Sequence, residues 1–234
     1  MAGSARCVAR RSHFLANVSQ PLHVVTLGDS LAYGAGDETG KGIAGRLADD
    51  LHTSVTTTNL GVNGAQTADV LVRLKQARVR KAIADADAIV LSIGANDLFR
   101  SPKSRAEILR SPFAIAQRIL DRIEEIVHAL HDLNSRACVM LLGGYNPVPG
   151  HEWASLINEY LTMWDRALAQ RFDDDALVTI VKMADVVTPQ RLSRYDFFHP
   201  GSEAYREAAR RIAEMLRRHG ATRAATSAGA SARS

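Results

Sequence analysis

Five short apolar runs, set apart by helical patterns, constrain the fold of this chain more than any other feature. They are "HVVTLG" (23–28), "SVTTTNLG" (54–61), "AIVLSIG" (88–94), "ACVMLLGG" (137–144) and "LVTIVKM" (177–183). Each has the length of a β-strand, and the first four end at or beside glycine. Mostly continuous apolarity implies strands covered on both faces, as in a parallel sheet. The Thr-rich run at 54–61 belongs nearer an edge. Helical patterns fill the gaps. Within 113–133, Ala116, Ile119, Leu120, Ile123, Ile126, Val127 and Leu130 recur at spacings of three and four, with Asp121, Arg122, Glu124 and Glu125 on the opposite face. Similar patterns cover 42–52, 68–84, 152–172 and 202–219, and Pro200 suits the first turn of the last helix. Such alternation predicts one α/β domain with a parallel sheet over 21–220. Chemistry is then expected just beyond the carboxyl ends of the strands.

The rest of the chain narrows the classes. Its 234 residues suit one large domain, with 46% hydrophobic and 23% charged residues, ordinary for a globular protein. Residues 1–20 are basic, lack acids and have no apolar core of signal-peptide length, so they read as a disordered extension of a cytoplasmic protein. Residues 221–234 are small, polar and non-periodic and read as a disordered tail. Much of the basic excess behind the net charge of +4 sits at the ends, in Arg6, Arg10, Arg11, Arg217, Arg218, Arg223 and Arg233. The middle is nearly balanced, so no nucleic-acid partner is expected. No run reaches the roughly 18 apolar residues needed to span a bilayer. Two cysteines are too few for a disulfide framework: Cys7 falls in the extension, and Cys138 reads as a small buried hydrophobe. His128 and His131 share a helix, but no third ligand for zinc stands out.

The five strand ends deliver a distinctive set. Asp29-Ser30 follows the first run, "NLGVNGAQT" (59–67) closes and follows the second, "GAND" (94–97) follows the third, "GGYNPVPG" (143–150) follows the fourth and "RYDFFHPG" (194–201) lies beyond the fifth. Taken singly, each member has a plain structural explanation. Ser30 would be a helix N-cap, His199 a cap before Pro200, and Gly64, Asn96 and Asp196 turn residues. Together, "GDSL" at 28–31, Gly64 in "NGAQT", "GAND" around Asn96 and "DFFHP" at 196–200 resemble, in order and approximate spacing, the four blocks of the SGNH/GDSL hydrolase family. The resemblance covers nearly all of 21–220. It implies an esterase or lipase on a flavodoxin-like three-layer α/β/α sandwich with a five-stranded parallel sheet. It also implies Ser30 as nucleophile, His199 as base, Asp196 as its orienter, and an oxyanion hole built from Ser30, Gly64 and Asn96.

The chemistry requires these residue types. A serine hydroxyl needs a base within hydrogen-bond reach to take its proton. Histidine accepts that proton and returns it to the leaving alcohol, and a carboxylate on its far nitrogen fixes the tautomer and stabilises the imidazolium. Asp196 and His199, three residues apart, can meet within one short turn, whereas Ser30 must arrive through folding. A glycine lets backbone N–H approach substrate with no Cβ in the way. Asp29 and Asp97 are expected to order their turns by hydrogen bonds. Leu31, Leu98, Tyr145, Asn146, Pro147 and Phe198 are candidate pocket residues, and 98–112 is long enough to form a lid or pocket wall.

The expected activity is cleavage of carboxylic esters with short- to medium-chain acyl groups, lysophospholipids included, through a Ser30 acyl-enzyme. Alternatives are a carbohydrate or metabolite O-acetyl esterase and, in another class, a phosphate- or nucleotide-binding module without hydrolase activity. The glycine-rich "AGDETGKGIAG" (35–45) invites the last reading. It lacks the P-loop pattern, because Gly42 follows Gly40-Lys41 and Ala35 stands where the first glycine belongs. The reading calls for a small-molecule or lipid ester as substrate, with no metal, cofactor or membrane insertion.

Overall fold

The computed structural model describes residues 21–50, 55–99 and 111–231. The 1–20 extension with Cys7, and most of the 98–112 segment, lie outside the described residues. The strands are β1 (Leu22–Gly28), β2 (Val55–Gly61), β3 (Ala88–Ser92), β4 (Cys138–Leu142) and β5 (Val178–Val181). All pair in parallel, in the order β2-β1-β3-β4-β5. The helices are α1 (Ser30–Tyr33), α2 (Gly42–Asp50), α3 (Thr67–Arg73), α4 (Ala77–Ala84), α5 (Ala95–Phe99), α6 (Pro112–Leu133), α7 (Ala154–Arg171) and α8 (Ser202–Ser231). This is the flavodoxin-like strand order, whose switch point lies between β1 and β3.

Strand alternation divides the core into two layers. Val25, Leu27, Ile89, Leu91, Val139 and Leu141 face one side, packed with Val70, Val79, Ile83, Ile123, Ile126 and Leu168 from α3, α4, α6 and α7. Val24, Val90, Cys138 and Met140 face the other, with Ile43 and Leu47 of α2 and Tyr205, Ala209 and Ile212 of α8. Each fully buried Leu or Ile contributes about 1.5–3 kcal/mol, so the central strands are held from both faces. The Thr-rich β2 lies at an edge, as its composition predicts. Cys138 is buried, its thiol directed at the Asp87 carbonyl at 3.8 Å.

Three details differ from the sequence pattern. The single helix expected over 68–84 is two, because Leu74 to Val79 is a step of five that takes the stripe off phase; the chain tightens through Lys75 and Gln76 and restarts. Pro200 is not in α8, which starts at Ser202; it forms an isolated bridge with Leu192 instead. α8 also runs on to Ser231, through residues read as a loose tail, where repeated alanine favours continuation.

Candidate active site

β1 ends at Gly28, with φ of +124° and no room for a side chain against the Ser92 carbonyl oxygen. Asp29 is the N-cap of α1, accepting from Leu31 N at 3.1 Å and from the Ser92 hydroxyl at 2.8 Å. Ser30 is therefore the first helical residue rather than the cap. Among the described residues no acceptor meets its N–H, one of the orphan donors of a helix start. Gly34, left-handed, closes α1 after one turn. Burial pushes the Asp29 carboxyl up to about 6, against the pull of its Ser92, Leu31 and Ala32 hydrogen bonds and of the charge on His199. The loop that leaves Ser30 meets His199 at Gly36.

The Asp196–His199 turn is self-contained. Asp196 Oδ2 meets His199 Nδ1 at 2.6 Å, while Oδ1 accepts from the backbone N–H of Phe198 at 3.0 Å and of His199 at 2.9 Å. Phe197 takes a left-handed φ of 54° to make this possible. Burial raises the Asp196 carboxyl, but the hydrogen bonds from the His199 ring and the two N–H groups outweigh it, so it lies below its ordinary value. It stays anionic, as orientation of an imidazolium requires.

The β2 and β3 turns are stitched together. The Asn96 side-chain amide donates to the Ala65 carbonyl at 3.0 Å, and its nitrogen carries a second hydrogen. Gln66 Nε2 donates to the Asn96 carbonyl, and Thr67 donates to Asp97 through both N–H and hydroxyl. Gly64 and Asn96 are thus brought to one place on the rim. Outside Gly64 lies a depression of about 370 Å³, walled by Val62, Asn63, Ala65, Asp69, Val72 and Arg73.

The pocket candidates divide. Tyr145 is half-buried on the rim; burial and the charges of Asp29 and Asp196 push its phenol well above the ordinary value. Phe198 is exposed and meets His199 edge-on, with ring centroids 5.2 Å apart. Pro147, two residues after Tyr145, is half-buried. Leu31 is not a pocket residue: one step round α1 from Ser30, it is buried in the core. Asn146 is also committed elsewhere, since it is buried and its amide donates to the Ala154 carbonyl and to Asn158. Leu98 packs partly against the core. Sequence reasoning missed Ser92, whose hydroxyl holds the cap Asp29, and Gly36. At Gly36 (φ +85°) a Cβ would lie 2.6 Å from His199 Cβ and 2.7 Å from the Pro200 carbonyl oxygen, so only glycine lets the loop after Ser30 nest on the His199 loop. No group of three or more metal-ligating side chains gathers among the described residues, and no helix among them is long and apolar enough to cross a membrane.

The parallel sheet of this order, the serine heading the first helix and the Asp–His pair beyond the last strand agree with what comparison with known proteins gives, a hydrolase of the esterase/lipase type. The profile of the GDSL-like lipase/acylhydrolase family matches residues 26–207, and the chain belongs to that family. Among curated proteins it is 30% identical to the uncharacterised protein YpmR of Bacillus subtilis (strain 168), over 84% of this chain and 82% of that one. It is 24% identical to the spore germination lipase LipC of Bacillus licheniformis, over 82% of this chain and 94% of that one. Among solved structures, the lipase Lip_vut3 from a goat rumen metagenome shares the fold, with a TM-score of 0.67 and 23% identity over 82% of this chain and 97% of that one.

Proposed function

We propose that the protein cleaves carboxylic esters, short- to medium-chain acyl esters among them, through an acyl-enzyme on Ser30. The Asp196–His199 pair carries this reading. Its 2.6 Å bond occupies Nδ1, which leaves Nε2 as the acceptor for the Ser30 hydroxyl proton. Ser30 Oγ then bonds to the substrate carbonyl carbon, and His199 returns the proton to the departing alkoxide. Water, deprotonated by His199, attacks the acyl carbon and releases the acid and Ser30. The N–H groups of Ser30 and Gly64 and the second amide hydrogen of Asn96 would meet the oxyanion, each such donor being worth about 2.7–4 kcal/mol. Val62 and Val72 give the depression beside Gly64 an apolar wall suited to an acyl chain.

The glycine-rich loop argues against a phosphate site. Its Thr39 and Gly42 N–H groups donate to the loop's own Asp37 carboxylate, at 3.0 and 2.7 Å, where an anionic ligand would need them. The test is hydrolysis of p-nitrophenyl acetate and longer-chain esters by wild type beside Ser30→Ala. Wild type should show a burst, turnover and stoichiometric fluorophosphonate labelling at Ser30. Equal rates in the two proteins reject the reading.

A further inference from the structure

The acidic pair inside the glycine-rich loop performs a task that the ester-cleavage reading leaves unassigned. The chain leaving Ser30 turns at once, with the N–H of both Gly34 and Ala35 donating to the Ser30 carbonyl. Two residues after Gly36 comes Glu38, whose carboxylate reaches across the molecule to both ends of the segment bearing Asp196 and His199. Oε1 accepts from Arg194 N at 3.0 Å; Oε2 accepts from Ser202 N at 2.7 Å and contacts the Ser202 hydroxyl at 2.6 Å. These partners lie 156 and 164 positions along the chain. Tyr195 adds a long bond from its hydroxyl to the Glu38 carbonyl.

The segment is also met by Gly36, packed against His199 and Pro200. Its neck closes through Ser193 N to the His199 carbonyl, the Leu192–Pro200 bridge and Gly201 N to the Arg191 carbonyl. None of those bonds refers to Ser30. Glu38 does, because its loop continues directly from α1. The carboxylate is itself held in place. Its neighbour Asp37 is buried, paired with Arg46 at 2.9 Å, and accepts from Thr39, Gly42 and the Ser202 hydroxyl. Arg46 also donates to the Thr39 hydroxyl. The Ser202 hydroxyl has one proton and two carboxylates within reach, so it ties Asp37 and Glu38 to the first turn of α8.

We propose that Glu38, braced by Asp37 and Arg46, is a positioning residue that sets the His199 imidazole against the Ser30 hydroxyl. It touches neither substrate nor the reacting atoms. The inference rests on the ester-hydrolase reading. A carboxylate suits the task because it accepts at both ends: the N–H groups of Arg194 and Ser202 each donate to one of its oxygens, while the single proton of the Ser202 hydroxyl is shared with Asp37. A glutamine must present its amide N–H₂ to one of the two ends, donor against donor.

The experiment compares wild type, Glu38→Gln, Glu38→Ala and Arg171→Ala on p-nitrophenyl acetate, each well below its own melting temperature. Arg171 pairs with Asp121 and Glu124, away from the site, so its variant reports destabilisation alone. Because misplacement by about 1 Å can lower a rate by about 100-fold, kcat and the fluorophosphonate labelling rate should fall in the order wild type, Gln, Ala, by at least about ten-fold for Ala. KM should stay within about two-fold, and Arg171→Ala should keep wild-type kcat. If Glu38→Ala does not fold, Glu38→Gln decides, with an expected kcat loss of about five-fold or more. A kcat within two-fold of wild type in the folded Glu38 variants, or an equal loss in Arg171→Ala, overturns the proposal. A wild type without Ser30-dependent activity would instead sink the ester-hydrolase reading itself.

Discussion

The two halves of the site are built on different principles. Ser30, Gly64 and Asn96 follow directly from β1, β2 and β3, strands locked in register with one another at the sheet's switch point. Asp29 under Ser30 is buried, and so is the Ser92 hydroxyl that holds it. Asp196 and His199 belong to no strand. They lie some way beyond β5, in a segment where Tyr195 and Phe197 are each 73% exposed. The sheet fixes the turn that bears Ser30; side-chain acceptors, Asp196 within the turn and Glu38 outside it, bond to the segment that bears His199. Changes to the turn backbone and buried supports of the first half, the Ser30 side chain apart, should therefore cost the fold, and changes on the second should cost rate.

The sharpest break is Gly28→Ala. Its Cβ would collide with the Ser92 carbonyl, at a φ that L-residues avoid, so the variant should lose its cooperative melting transition. A folded Gly28→Ala protein with near wild-type melting would undo the claim that the sheet rigidly sets this end. Next is His199→Ala, expected to lower kcat by about 10³-fold or more while the melting temperature changes little. A large loss of stability there would show the base loop to be as structural as the nucleophile turn.

The smallest effect is in pH. Burial raises the Glu38 carboxyl, but its bonds from Ser202 and Arg194 outweigh this and hold it at about 2, below its unfolded value of 4.5. The folded state thus binds this proton less readily than the unfolded chain. The stabilisation is complete above pH 4.5 and is lost as pH falls toward 2. The melting-temperature advantage of wild type over Glu38→Gln should shrink across that window. A constant difference would place the carboxylate's contribution elsewhere.

The sheet and most of its helices were legible because burial on both faces forces continuous apolar runs, and because helix stripes recur at three and four. Ser30, Asp196 and His199 stand out in the sequence as short motifs beyond strands; the Asp196–His199 contact and the place of Ser30 at the start of α1 are what the fold adds. Leu31 was misplaced: adjacency to a nucleophile suggests a pocket wall, but one helical step of about 100° turns it into the core. Asn146 was misplaced because an amide bonded to α7 looks, in sequence, like one aimed at substrate. Glu38 and Gly36 were illegible for a stronger reason. Their partners are some 160 residues away, and no local pattern marks an acid or a glycine for a distant loop.

The contact at Gly36 carries a lesson for engineering. Grafting a new loop after Ser30, or a new segment around His199, would meet a fit with no room for even a Cβ at Gly36. Residues 34–42 and 191–202 form a single cassette, to be exchanged between scaffolds together or left alone.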